Sequence, residues 1–256
     1  MTSHHGPGPF SCLVAIGDSI TMGAAATKQE YAWVSRLGRL LTEFQDVPVR
    51  VVNSGLSGNL ISPRSRAYAD PDSGRPSGLE RYRRDLTAFH PDLVTVAFGL
   101  NDLRCGTPLE VFMADLDLMV GGIRQTTEAT IVLAGVYYMT GYHDHGAGWA
   151  HGDLEAAHRW NGRLQQYAAA GRLVFADVCG AQGQAGWTMD KDGVHPNDLG
   201  HALIAHSVFQ AIATHCPGLS RRALRDAENY VRWADSVESA LRTYDGIGGE
   251  PQAEPT

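Results

Sequence analysis

Five short apolar runs rich in β-branched residues punctuate the chain: Cys12–Ile16, Val49–Asn53, Leu93–Phe98, Ile131–Tyr137 and Leu173–Ala176. Each is nearly continuous rather than alternating. A strand can be apolar on both sides only if both sides are covered, which is the condition of a parallel sheet packed between helices. Helical patterns fill the intervals. Trp33–Phe44 places Val34, Leu37, Leu40 and Leu41 on one stripe, and Leu109–Val120 does the same with Leu109, Phe112, Met113, Leu116 and Met119. Leu154–Ala169 and Leu199–Ala213 are further helical segments. Strand–helix alternation along the chain predicts a doubly wound α/β domain. A chain of 256 residues suits one such domain, and no internal repeat divides it.

The expected organisation is a flexible segment over 1–9, one domain over 10–216, a helical extension over 217–245 and a disordered tail over 246–256. Within the extension, Ala223, Ala227, Tyr230, Ala234, Val237, Leu241 and Tyr244 follow a heptad-like spacing. That stripe fits a terminal helix packed on its own domain or the seam of a homodimer.

The formal charge of −7 argues against wrapping nucleic acid, which needs a basic footprint. No apolar run approaches the roughly 20 residues of a membrane span. The opening MTSHHGPGPF lacks the cationic and apolar regions of a secretory signal. Cys12, Cys105, Cys179 and Cys216 have no paired spacing, so free thiols and a cytoplasmic location are expected.

Four segments carry chemistry. Gly17-Asp18-Ser19-Ile20-Thr21 puts a hydroxyl just past the first strand. Asn53-Ser54-Gly55-Leu56-Ser57-Gly58-Asn59 follows the second, and a glycine such as Gly55 lets a backbone N–H approach a ligand closely. Phe98-Gly99-Leu100-Asn101-Asp102 ends the third with a neutral amide donor, suited to a developing oxyanion. Asp190-Lys191-Asp192-Gly193-Val194-His195-Pro196-Asn197 sets a carboxylate three residues before a histidine, close enough to hold one ring nitrogen and leave the other free. Asp190 competes with Asp192 for that role. Asp18 and Asp102 read as helix caps or loop ties.

In this order the four segments resemble the blocks of the SGNH hydrolases, also called GDSL esterases and lipases. The resemblance spans Leu13 to Phe209 and leaves out the C-terminal extension. It implies a flavodoxin-like three-layer α/β/α sandwich with a five-stranded parallel sheet in the order 2-1-3-4-5. It also implies Ser19 as nucleophile, His195 as base and then acid, and Asp192 as the orienting carboxylate. The implied oxyanion hole is the N–H groups of Ser19 and Gly55 with the side chain of Asn101. No metal or other cofactor is implied. The activity would be hydrolysis of a small-molecule carboxylic ester through an acyl-enzyme, with removal of an acetyl group from a sugar or natural product as the leading case. An acyltransferase or a thioesterase would use the same residues.

Two long loops should rise near the carboxyl ends of the strands, where open α/β sheets bind ligands. Leu60–Arg84 carries Arg64, Arg66, Arg75, Arg81, Arg83 and Arg84, either a solvated lid or an attractor of anionic substrate. Met139–Gly152 contains His143, Asp144, His145 and His151, read as a solvated or substrate-contacting rim rather than a metal site. Arg64, Arg66, His143 and His145 are therefore the expected substrate contacts.

Overall fold

The computed structural model describes residues 8–143, 146, 148–220, 236, 237 and 239. The expected lead-in up to Pro7, His145, the tail and most of the heptad-like stripe lie outside the described residues, as does the dimer seam that the stripe would form.

A five-stranded, wholly parallel sheet runs β2-β1-β3-β4-β5. Its strands are β1 (Cys12–Gly17), β2 (Arg50–Gly55), β3 (Leu93–Ala97), β4 (Thr130–Ala134) and β5 (Val174–Ala176). Every residue of β1, β3 and β4 is buried, as their continuous apolar runs require. Strand β2 differs. It lies at one edge of the sheet and stays largely exposed, so its apolar run does not reflect burial on both faces.

Two helices, α2 (Trp33–Gln45) and α8 (Asp198–His215), cover one face and meet through Phe44 and Phe209, with ring centroids 5.0 Å apart. The other face carries α3 (Gly78–Phe89), α5 (Leu109–Thr126) and α6 (Leu154–Gly171), with Phe112 on Trp160 at 4.8 Å. Three short helices, α1 (Ser19–Met22), α4 (Leu100–Arg104) and α7 (Val178–Gln182), follow strands directly. Of the expected stripe of α2, Leu40 is half-buried, whereas Val34, Leu37 and Leu41, together with Trp33, are inaccessible to solvent. Each such side chain contributes roughly 1.5–3 kcal/mol of burial. Leu219 and Cys216 also sit in the core, so the packed domain continues past residue 216.

Two expected boundaries shift. The segment expected as a loop to Arg84 becomes helix at Gly78, because Ser77 and Glu80 form a reciprocal capping box. The run Ile131–Tyr137 leaves the sheet after Ala134. There the side chain of Asn161 on α6 takes over pairing: its oxygen accepts the Val136 N–H at 2.6 Å and its Nδ2 donates to the Val136 carbonyl at 3.0 Å.

Candidate active site

The carboxyl edge of the sheet gathers the chemistry-bearing segments where β1 and β3 lie side by side and the chain order reverses, the place where such sheets bind ligands. Helix α1 starts directly after β1, with Asp18 as its cap accepting the Ile20 N–H at 2.9 Å. Ser19 is therefore the first helical residue, and its own N–H has no intrahelical acceptor. Across from it, residues 190–196 form a tight loop. Asp190 N–H bonds the His195 carbonyl at 2.8 Å, and the N–H groups of Thr140 and Gly141 both bond the Gly193 carbonyl.

That loop aims His195 at Ser19. The Nε2 atom of His195 lies 2.9 Å from Ser19 Oγ, and Nδ1 lies 2.5 Å from Asp192 Oδ2. Asp192 Oδ1 accepts the N–H groups of Val194 and His195 at 2.8 and 2.9 Å. A carboxylate facing Nδ1 requires a hydrogen there and leaves Nε2 free to accept the Ser19 proton. Partial burial pushes the Asp192 pKa up, but the hydrogen bonds from the His195 ring and the two backbone N–H groups outweigh it and hold the group below its ordinary value. Asp190 contributes its backbone to the loop, whereas Asp192 makes the ring contact. Asp18, next to Ser19 in the chain, is buried. Desolvation lifts its pKa to about 6, against the pull of the Ile20 N–H and of His195.

Asn101 stands in α4 with its amide oriented from both ends. Its Nδ2 donates to the Asn59 carbonyl at 3.2 Å, and its oxygen accepts from Arg104 Nη1 at 3.3 Å. One N–H of the amide is left over. Asp102 beside it is fully buried and ties down the 60–65 loop, accepting from the Ile61 N–H and the Ser65 hydroxyl. Burial raises its pKa to about 7 despite those two bonds.

Ser19, His195 and Asn101 share the wall of a cavity of about 270 Å³ with Ser57, Gly58 and Arg104. Asp72 and Trp149 complete it. Two larger hollows, about 560 Å³ against α2 and β2 and about 600 Å³ against β5 and α8, contain none of these residues.

Gly55 is not in this wall. Its N–H is engaged by the Asn53 side-chain oxygen at 2.9 Å, and a Cβ there would sit 2.1 Å from the Met22 backbone nitrogen. Gly55 thus seats β2 against α1. Three residues on, Gly58 lines the cavity in a left-handed conformation (φ +65°), and its N–H has no acceptor among the described residues. The family resemblance implies Gly55 alone; β2 runs two residues further than expected and carries Gly55 into the strand, leaving Gly58 at the cavity.

Of the expected substrate contacts, Arg64, Arg66 and His143 do not line the cavity, and His145 lies outside the described residues. Arg64 pairs with Asp115, a fully buried carboxylate on α5 that also accepts from Ser62. Arg66 borders a separate hollow with Asp70 and His151. His143 is exposed and its Nδ1 lies 3.3 Å from the Ala150 carbonyl. Arg81 is buried as a structural tie to the Gly17 and Ser54 carbonyls and to Asn59. Arg104 and Trp149 were not singled out by the sequence, and neither carries a local signal. Among the described residues, no group of three or more metal-ligating side chains is assembled, all four cysteines are free and buried, and no helix is long and apolar enough to cross a membrane.

A three-layer α/β/α sandwich with a hydroxyl, an imidazole and a carboxylate in line at its carboxyl edge defines a class of serine hydrolases. Residues 15–203 match the model of the GDSL-like lipase/acylhydrolase family, and the chain belongs to that family. It is a serine esterase by family and fold. Solved structures share the fold at low identity. TesA is 23% identical over 79% of this chain and 98% of its own, with a TM-score of 0.59. A catalytic mutant of Axe2, an acetylxylan esterase from Geobacillus stearothermophilus, is 23% identical over 81% and 95%, also at 0.59. A lipase/acylhydrolase from Enterococcus faecalis is 21% identical over 79% and 95%, at 0.61. A search among curated proteins finds no match.

Proposed function

We infer that the protein removes short acyl groups, acetyl foremost, from a polar alcohol, through an acyl-enzyme on Ser19. The observation that carries this reading is the cavity into which the Ser19–His195–Asp192 relay opens. At about 270 Å³ it lies below the roughly 300–1,000 Å³ of pockets for drug-sized ligands. Its wall has one large apolar side chain, Trp149, and is otherwise polar. A long acyl chain finds no apolar groove there. The likeness to the fold of an acetylxylan esterase is consistent with this substrate class.

His195 takes the Ser19 proton as Oγ attacks the ester carbonyl, and Asp192 stabilises the imidazolium that forms. The oxyanion is held by the N–H groups of Ser19 and Gly58 and by the remaining N–H of Asn101. His195 then protonates the departing alcohol. Water activated by the same imidazole releases the acid and restores the serine. The test is hydrolysis of p-nitrophenyl esters from acetate to palmitate, with Ser19→Ala as control. The expected profile peaks at acetate and vanishes in the variant. A maximum at long chains would overturn the short-acyl reading.

A further inference from the structure

Arg104 is a buried cation that forms no ion pair among the described residues. The residue is 7% exposed, lines the cavity that contains Ser19, and makes one hydrogen bond, to the neutral oxygen of Asn101. No carboxylate lies within salt-bridge distance of it among the described residues. Among the described residues its Nε is buried with no acceptor. The guanidinium packs 5.8 Å from the ring centroid of Trp149, which is 8% exposed, lines the same cavity and, among the described residues, has its own indole N–H buried without an acceptor. Arginine and tryptophan can only donate. This part of the wall is therefore short of acceptors: Asp18 and Asp192 act on Arg104 through their fields, but neither touches it, and a buried ion left without a contact partner is costly.

We propose that Arg104, backed by Trp149, binds an anionic group, a carboxylate or phosphate oxyanion, carried on the alcohol part of the ester. The proposal rests on the short-acyl reading above, since an acetyl group has no place for a charge and the anion must then belong to the alcohol. Asp72 also lines the cavity but is exposed, so water screens its repulsion, whereas the field of buried Arg104 is screened far less. The Asp192 charge is held by His195 and two backbone N–H groups. The planar guanidinium suits a two-oxygen ligand, and the indole face holds it in place.

The test compares 3- and 4-acetoxybenzoate with their methyl esters as substrates. The wild-type protein is expected to favour the anionic member of at least one pair. Arg104→Gln should lower kcat/KM for that anionic ester about 30-fold more than for its neutral partner, mainly through KM. Arg104→Lys should recover part of the preference. Any loss common to both partners measures the hold of Arg104 on Asn101 and cancels in the ratio. An equal loss for both, or no anionic preference in either pair, overturns the proposal. Binding of 3- and 4-hydroxybenzoate to Ser19→Ala by calorimetry provides a second readout without turnover: binding that Arg104→Gln leaves unchanged also overturns it. Failure of the short-acyl reading looks different: the p-nitrophenyl series would then peak at long chains, whatever Arg104→Gln does to the anionic-to-neutral ratio.

Discussion

The side-chain oxygen of Asn53 accepts the Gly55 N–H at 2.9 Å, while the Nδ2 of the same asparagine donates to the Thr21 carbonyl at 2.8 Å. One residue thus consumes the donor nearest the end of β2 and clamps that end to the short helix that starts at Ser19. The backbone donor proposed for the oxyanion hole moves to Gly58. Replacing either glycine should therefore fail for different reasons. Gly55→Ala forces a Cβ against the Met22 backbone and should lower Tm. Gly58→Ala strains a φ of +65° and meets the Asp72 carbonyl at 2.2 Å. It should lower kcat by about 100-fold if the donor is displaced. Thermal melts and steady-state kinetics on both variants separate the effects. Full activity in a folded Gly58→Ala would remove that residue from the oxyanion hole.

Asn101→Ala should lower kcat about 100–1000-fold with little change in KM, because its free N–H meets charge that develops only in the transition state. A rise in KM at constant kcat would instead make Asn101 a ground-state substrate contact.

Arg64→Ala is expected to act on stability and not on turnover. Asp115 is buried and keeps its bond from Ser62, but it loses its cation. Since the Arg64 side chain is 56% exposed, solvent screens the pair and the cost should be about 1 kcal/mol. A denaturant titration reads that loss, and kcat/KM should stay within about twofold because the loop tie leaves the relay untouched. A selective loss on anionic esters would return Arg64 to the substrate site.

Asp102 makes stability depend on pH in a defined direction. Burial raises its folded-state pKa from 3.8 to about 7. Between those values the folded protein binds the proton and the unfolded chain does not, so stability is fullest below about pH 4 and falls as pH rises through 7. In Asp102→Asn its share of that fall should disappear, leaving the smaller fall due to Asp18, with the amide oxygen still accepting from Ile61 and Ser65. The difference between the two proteins from pH 4 to 8 should be on the order of a few kcal/mol, read from denaturant midpoints. Parallel curves would mean that Asp102 is ionised throughout.

Much of the site was legible one segment at a time. A hydroxyl after the first strand, an amide after the third and an Asp-x-x-His before the last helix are local patterns, and the structure brings Ser19, Asn101 and His195 to one cavity, with Asp192 against the His195 ring. The arginines were not legible in this way. Six of them in one stretch read as a charged surface, yet Arg81 is a buried strut, Arg64 neutralises Asp115 and Arg66 faces another hollow. The carboxylate that Arg64 meets, Asp115, lies 51 positions away in the chain.

By itself, the order of apolar runs and helical stripes determined a doubly wound sheet, because continuous apolar strands are stable only when helices cover both faces. Local spacing determined the Asp192–His195 contact, because three residues in a tight turn cannot place a carboxylate far from the ring. Only the tertiary structure decided that Gly58 rather than Gly55 faces the cavity, and that Arg104 rather than Arg64 or Arg66 is the cation beside Ser19. Those outcomes depend on where β2 stops, on which carboxylates the core has already paired, and on which side chains are left unpaired at the carboxyl edge. These are properties of packing between distant segments, which no local pattern in the chain records.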